Sequence, residues 1–222
     1  MNPREVNRLV VVAVVLCVVA VNTTSAEIGD GVYLHELAHD ELRQGEHTYL
    51  DYISRHRDWL DQRFSDPELS PLTEADRENF TGLDYFSVDP QSNLKAMFVP
   101  SADGKVINVP GFGGGLLKYS LHGTLVAVYR SREIRLNLYR REDQHNVRHV
   151  ALAPFTDPTN SKATYPGGRY LKYVLPLTDD PLIDFNKAVN PYCAYNATYA
   201  CPIPPPENAL SFPVRAGEKR FE

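Results

Sequence analysis

Two stretches of this chain carry residue types and spacings that could do chemistry. The larger occupies residues 154–218. There Arg169 follows a Gly-Gly turn, and Asp184 and Asn186 flank a phenylalanine. Asn190 precedes Pro191, Glu207 and Asn208 follow a run of prolines, and Glu218 comes near the end. Asp157, Thr159 and Tyr165 lead into the stretch. A guanidinium grips a carboxylate or phosphate through two parallel hydrogen bonds. Arg169, with Asp184, Asn186, Asn190, Glu207, Asn208, Glu218, Asp157 and Tyr165 around it, could therefore anchor a small polar or anionic ligand. A carboxylate pair such as Asp184 and Glu207 could instead do acid–base work if one member is desolvated. The same residues could also serve the fold alone, with Arg169 paired to Asp184 or Glu218 and the amides bonded to loop backbone. The prolines fix φ and remove backbone donors, so this stretch is expected to be irregular and not a helix or a central strand.

The second stretch is His35-Glu36-Leu37-Ala38-His39. On a helix the two histidines lie one turn apart and could bind zinc, with Glu36 as general base of a metal-dependent hydrolase. A third ligand is not placed: His47 lies too far on for metzincin spacing, which leaves Glu46 and Glu68. The alternative is a frayed or amphipathic segment whose histidines face solvent. No Gly-x-Ser-x-Gly occurs and no histidine falls within residues 154–218, so a hydroxyl nucleophile has no support. The glycines around Phe112 match neither a P-loop nor a dinucleotide fingerprint and are expected to connect a hairpin.

The C-terminal stretch resembles a known family. Gly167 to Tyr170, Asp184 to Asn186, Asn190-Pro191, Cys193, Cys201-Pro202, Pro205-Pro206, Glu207-Asn208 and Ala216 to Glu218 are similar to the hallmark of the bacterial and archaeal family called domain of unknown function 1684. Upstream, Ser70-Pro71-Leu72 and residues 80–86 resemble the N-terminal signature of its shorter, exported members. The resemblance spans residues 49–218. Ser161, where glycine is expected, and Pro166 depart from the pattern within a turn. The family implies positions of interest and no activity, cofactor or partner.

Several features point to export. Residues 1–8 carry two arginines and one glutamate, and residues 9–21 are apolar apart from Cys17. Thirteen residues are too few to span a bilayer comfortably. Thr24-Ser25-Ala26 then supplies small residues at a cleavage site, so residues 1–26 read as a secretory signal peptide. An uncleaved anchor is the alternative. Residues 27–47 would form a polar N-terminal segment and 48–222 a single domain. A formal charge of −5 argues against a nucleic-acid partner. Removal of Cys17 would leave the pair Cys193 and Cys201. In an oxidising compartment that pair reads as a disulfide, worth roughly 2–3 kcal/mol; zinc would need ligands beyond these two.

The elements that must position these groups follow from periodicity. Residues 48–64 place Tyr49, Tyr52, Ile53, His56, Trp59, Leu60 and Phe64 on one helical face, with Arg55, Arg57, Asp58, Asp61 and Arg63 largely off it. Thr73 and Asp76 signal a capped short helix. Strands are expected over 85–88, 94–99, 106–109, 116–121, 124–129, 134–138, 150–155, 170–175 and 210–214, with His122-Gly123 as a hairpin turn. The fold class is thus mainly β (α+β): an antiparallel barrel, roll or curled sheet, an N-terminal amphipathic helix and a long Pro-rich C-terminal loop segment. The resulting expectation is an exported protein that binds a small polar or envelope-derived ligand, with no cofactor and membrane contact only through its N-terminal segment. The alternatives are the hydrolase and a structural or interaction protein of the envelope.

Overall fold

The structure is a computed structural model and describes residues 48–142 and 149–221. Helix α1 (Tyr49–Ser65) begins where a capping box fixes it: Thr48 Oγ1 accepts from Asp51 N–H, and the Asp51 carboxylate accepts from Thr48 N–H. Its buried face holds Tyr52, Ile53, His56, Leu60 and Phe64 as the spacing predicts, and also Arg63. Arg63 was expected off this face. It is drawn in because its guanidinium donates to Tyr192 Oη at 3.4 Å. Arg57 likewise turns inward, lying 4.4 Å from the Tyr85 ring centroid and donating to the Phe86 carbonyl at 3.0 Å. Helix α2 (Glu74–Glu78) starts at Thr73 as predicted. Among the described residues no helix is long and apolar enough to cross a membrane.

Seven strands follow: β1 (Asn93–Pro100), β2 (Val106–Pro110), β3 (Leu116–Tyr129), β4 (Arg132–Arg141), β5 (Val150–Phe155), β6 (Arg169–Val174) and β7 (Leu182–Asp184). They form one antiparallel sheet in the order β6-β5-β4-β3-β1-β7, with β2 also on β3. Just past β7, Val189 bridges back to Tyr170 of β6 through a reciprocal pair of hydrogen bonds at 2.9 and 3.0 Å. The sheet thereby nearly closes on itself, as a barrel or roll requires.

Three strand expectations need correction. Residues 116–121 and 124–129 are one strand and not a hairpin. His122 is accommodated as a register shift between Leu121 and Gly123, a bulge that bends the long strand. Gly123 is needed there because a Cβ would sit 2.6 Å from the Val99 carbonyl oxygen. The actual hairpin joins β3 to β4 through Arg130 and Ser131, both in the left-handed region with φ of 48° and 64°. Neither is a residue type that announces such a turn. Residues 85–88 make only a single bridge, from Tyr85 to Glu218, and residues 210–214 form no strand.

The main core lies between the inner sheet face and the returning C-terminal chain. It includes Leu125, Leu136, Leu138, Phe155, Ile183, Phe185 and Val214, with the Phe155 and Phe185 rings edge to face at 5.4 Å. A second cluster packs α1 through Leu60 and Phe64 against Leu72, Leu83, Tyr170, Val189 and Tyr195. The two clusters lie on opposite sides of β6. Arg169, Leu171 and Tyr173 face the main core, whereas Tyr170 and Lys172 face the other side, as the two-residue period dictates.

Candidate functional site

The polar residues of the C-terminal stretch form separate latches. Arg169 is fully buried and spent on the protein itself. Nη2 donates to Asp157 Oδ2 at 3.0 Å and to the Val214 carbonyl at 2.8 Å. Nη1 donates to the Ala216 carbonyl at 2.5 Å and to the Glu218 carbonyl at 3.3 Å. The Phe155 ring lies under the guanidinium at 5.3 Å. Asp157 Oδ1 in turn accepts from Thr159 N–H at 2.9 Å and Val214 N–H at 3.1 Å. Burial lowers the Arg169 pKa, and the Asp157 carboxylate opposes that shift. The partner is therefore Asp157, not Asp184 or the Glu218 carboxylate, and the Arg169 side chain presents nothing to solvent.

Glu218 makes a second latch beside the first. Its carboxylate accepts from Asn190 N–H at 2.8 Å, from Asn190 Nδ2 at 3.0 Å and from the Tyr195 hydroxyl. Burial pushes the Glu218 carboxyl up to about 7, against the pull of those hydrogen bonds and the field of Lys172. The chain reaches this position through Gly217, whose φ is +75° and whose Cβ would lie 2.6 Å from both the Phe185 and Ala188 carbonyl oxygens.

A third latch joins α1 to the end of β7. Tyr49 Oη donates to Asp184 Oδ1 at 2.8 Å, and Asn186 N–H donates to the same oxygen at 3.1 Å. Asn186 also pairs with the Asp89 backbone, accepting from its N–H at 2.9 Å and donating to its carbonyl at 2.8 Å. Burial raises the Asp184 pKa. Asn208 works as a spare peptide group. It accepts from Asn137 N–H at 2.8 Å and donates to the Asn137 and Pro154 carbonyls at 3.0 and 2.8 Å. Glu207 beside it is exposed. Tyr165 meets the Phe112 ring edge-on, and its hydroxyl lies 4.0 Å from Cys193 Sγ. The nine residues thus do not converge on one pocket.

What the latches hold in place is a cleft of about 250 Å³ on the far side of β6. Tyr119 of β3, Tyr170 of β6, and Tyr192 and Tyr199 of the following loop line it, with Asn190 and Cys201. Lys172 and Arg141 are its cations. Lys172 Nζ rests 5.2 Å from the Tyr192 ring centroid and has no ion-pair partner among the described residues. Cys193 and Cys201 are both free thiols, so the expected disulfide is absent from this structure. A larger groove of about 470 Å³ runs past Asp76, Lys162 and Lys219, but Lys219 is already held by Asp84 at 3.1 Å.

Apart from Asn190 and Cys201, the cleft residues escaped sequence reasoning, although one signal was available. Given that Arg169 begins a strand, Tyr170 and Lys172 must share the opposite face. Choosing Arg169 selected the core-facing set. His35, Glu36 and His39 lie outside the described residues, within which no cluster of three metal-binding side chains occurs.

Residues 78–219 match the family described as Protein of unknown function (DUF1684). The chain belongs to this family. The DUF1684 chain is also similar to the solution NMR structure of the uncharacterized protein from gene locus rrnAC0354 of Haloarcula marismortui. That likeness has 28% identity and a TM-score of 0.60 over 84% of this chain and 97% of that one. No curated protein matches the DUF1684 chain. All four cleft tyrosines and Lys172 fall within the matched region, as do the three latches apart from Tyr49.

Proposed function

We propose that this is an exported single-domain binding protein, whose ligand is a small anion with a flat apolar body held in the β6 cleft. The observation that carries this reading is a tyrosine-lined cavity with an unpaired cation at its edge. Tyrosine offers apolar area with a polar tip, and the ring faces favour planar partners. Lys172 faces the same space and makes no ion pair among the described residues, although its field reaches the buried Glu218 carboxyl. At about 250 Å³ the cleft lies below the usual range of roughly 300–1,000 Å³, so the ligand is small. The C-terminal stretch takes part through Asn190, Tyr192, Tyr199 and Cys201 as lining, and through its latches as scaffold.

The test is calorimetric titration with benzoate and with neutral benzyl alcohol as probes. Benzoate is expected to bind and benzyl alcohol to bind more weakly. Lys172→Met is expected to weaken benzoate about tenfold or more, the worth of one charge-assisted hydrogen bond, without changing thermal stability. Equal binding of both probes, or an unaffected Lys172→Met variant, would count against the reading. The export part rests on residues 1–26. Protein recovered from its native cell envelope or medium is expected to have an intact mass lacking those residues, and recovery of the full chain from the cytoplasm would contradict export.

A further inference from the structure

Among the described residues, Cys193 and Cys201 are free thiols that take no part in the latches. Cys193 N–H donates to Cys201 Sγ at 3.2 Å, which brings the two residues together across an eight-residue step. Their surroundings differ. Cys201 is buried in the second core cluster, at 7% exposure, whereas Cys193 is only partly covered and meets the Tyr165 hydroxyl at 4.0 Å. Rigid backbone holds both: Pro191 precedes the first, Pro202 follows the second, and Pro202 bridges Gly111.

We propose that Cys193 and Cys201 form a redox-active dithiol, in which Cys193 is the attacking sulfur and Cys201 the resolving one. The partner is a disulfide-bearing molecule, either a low-molecular-weight disulfide or a protein dithiol in its oxidised form. The Cys193 thiolate attacks one sulfur of that disulfide. A mixed disulfide forms, and the first thiol leaves with the proton that Cys193 gave up. The Cys201 thiolate then attacks the Cys193 sulfur and expels the second thiol, which takes the Cys201 proton. The net change is one intramolecular disulfide made, one external disulfide reduced to two thiols, and two electrons transferred.

The division of roles follows from access and from hydrogen bonding. Cys193 is the more exposed of the two sulfurs and so the easier for an external disulfide to reach. The Cys201 thiol supports a thiolate on Cys193 and lowers its pKa against the opposing effect of burial, with Tyr165 helping. The same contact, with burial, raises the Cys201 pKa. This asymmetry separates the pair from a purely structural bridge. It does not depend on what the cleft binds, although Cys201 lies in the cleft wall and oxidation would tie residues 193–201 of that wall together.

The test equilibrates the full chain with defined ratios of oxidised to reduced glutathione, followed by alkylation and peptide mapping so that Cys17 is read separately. The expected result is a reversible Cys193–Cys201 disulfide, two hydrogens lighter, reached from either direction. Cys201→Ser is expected to accumulate glutathione on Cys193 at least tenfold faster than Cys193→Ser accumulates it on Cys201. Persistent free thiols at every ratio would overturn the proposal. So would a bridge that glutathione cannot reopen in the folded protein, or equal trapping at the two positions. Benzoate titration of the same samples keeps the two readings apart, because probe binding without redox cycling removes the dithiol and leaves the cleft.

Discussion

Replacing Arg169 with alanine is expected to unfold the protein under conditions where the wild type is folded. The side chain is wholly inside and donates to four acceptors: the Asp157 carboxylate and the carbonyls of Val214, Ala216 and Glu218. Truncation would leave the buried Asp157 side chain without its cation, and would free the 214–218 backbone that Arg169 pins across the core. Breaking a buried pair by removing one member costs about 3–5 kcal/mol. Against a total stability of roughly 5–15 kcal/mol that loss removes a large share of the margin, and most or all of it at the low end. Arg169→Lys is expected to recover little, since an ammonium cannot present the same fork to carboxylate and carbonyls together. Urea denaturation followed through the single Trp59 measures both variants. A stable Arg169→Ala protein with impaired ligand binding would restore the residue to the role of ligand anchor.

The second large effect is a dependence of stability on pH that belongs to Glu218. Its carboxyl titrates near 7 in the folded chain, above an ordinary value of 4.5, because it is buried. Between those two values the folded state holds a proton that the unfolded state has lost. The Glu218 contribution to stability is therefore greatest below pH 4.5, falls as pH rises to about 7, and is level above. The full change is on the order of 3 kcal/mol. Other buried groups titrate as well, so the clean comparison is wild type minus Glu218→Gln across this range. The glutamine cannot ionise, and the difference is expected to move steadily against the wild type as pH rises. Parallel stability curves for the two proteins would contradict it.

Much of the fold was legible in the sequence because it depends on local rules. Helix α1 announces itself through Thr48, Asp51 and an apolar face, and β4 through strict alternation around Leu136. The β3–β4 turn was not legible, because Arg130 and Ser131 adopt left-handed backbone that only the paired strands impose. His122-Gly123 looked like a turn because glycine marks both turns and bulges, and only the register with β4 tells them apart. At the candidate site, the sequence located the polar residues and could not show what they face. Arg169, Asp157 and Glu218 are far apart along the chain and meet only once residues 210–218 return across the sheet. Their burial converts a plausible ligand anchor into a structural one. Lys172 and Tyr192 drew no notice because a lysine and a tyrosine are common surface residues. Their meaning comes from the cavity between them.

The most direct test of the account is chemical-shift mapping of the uniformly labelled full chain during a benzoate titration. The cleft reading predicts saturable shifts concentrated at Tyr170, Lys172, Tyr192, Tyr199 and Cys201, with the backbone around Asp157 and Asp184 unmoved. Saturable shifts centred instead on the Lys162 and Lys219 groove, or no saturable shift anywhere, would contradict it.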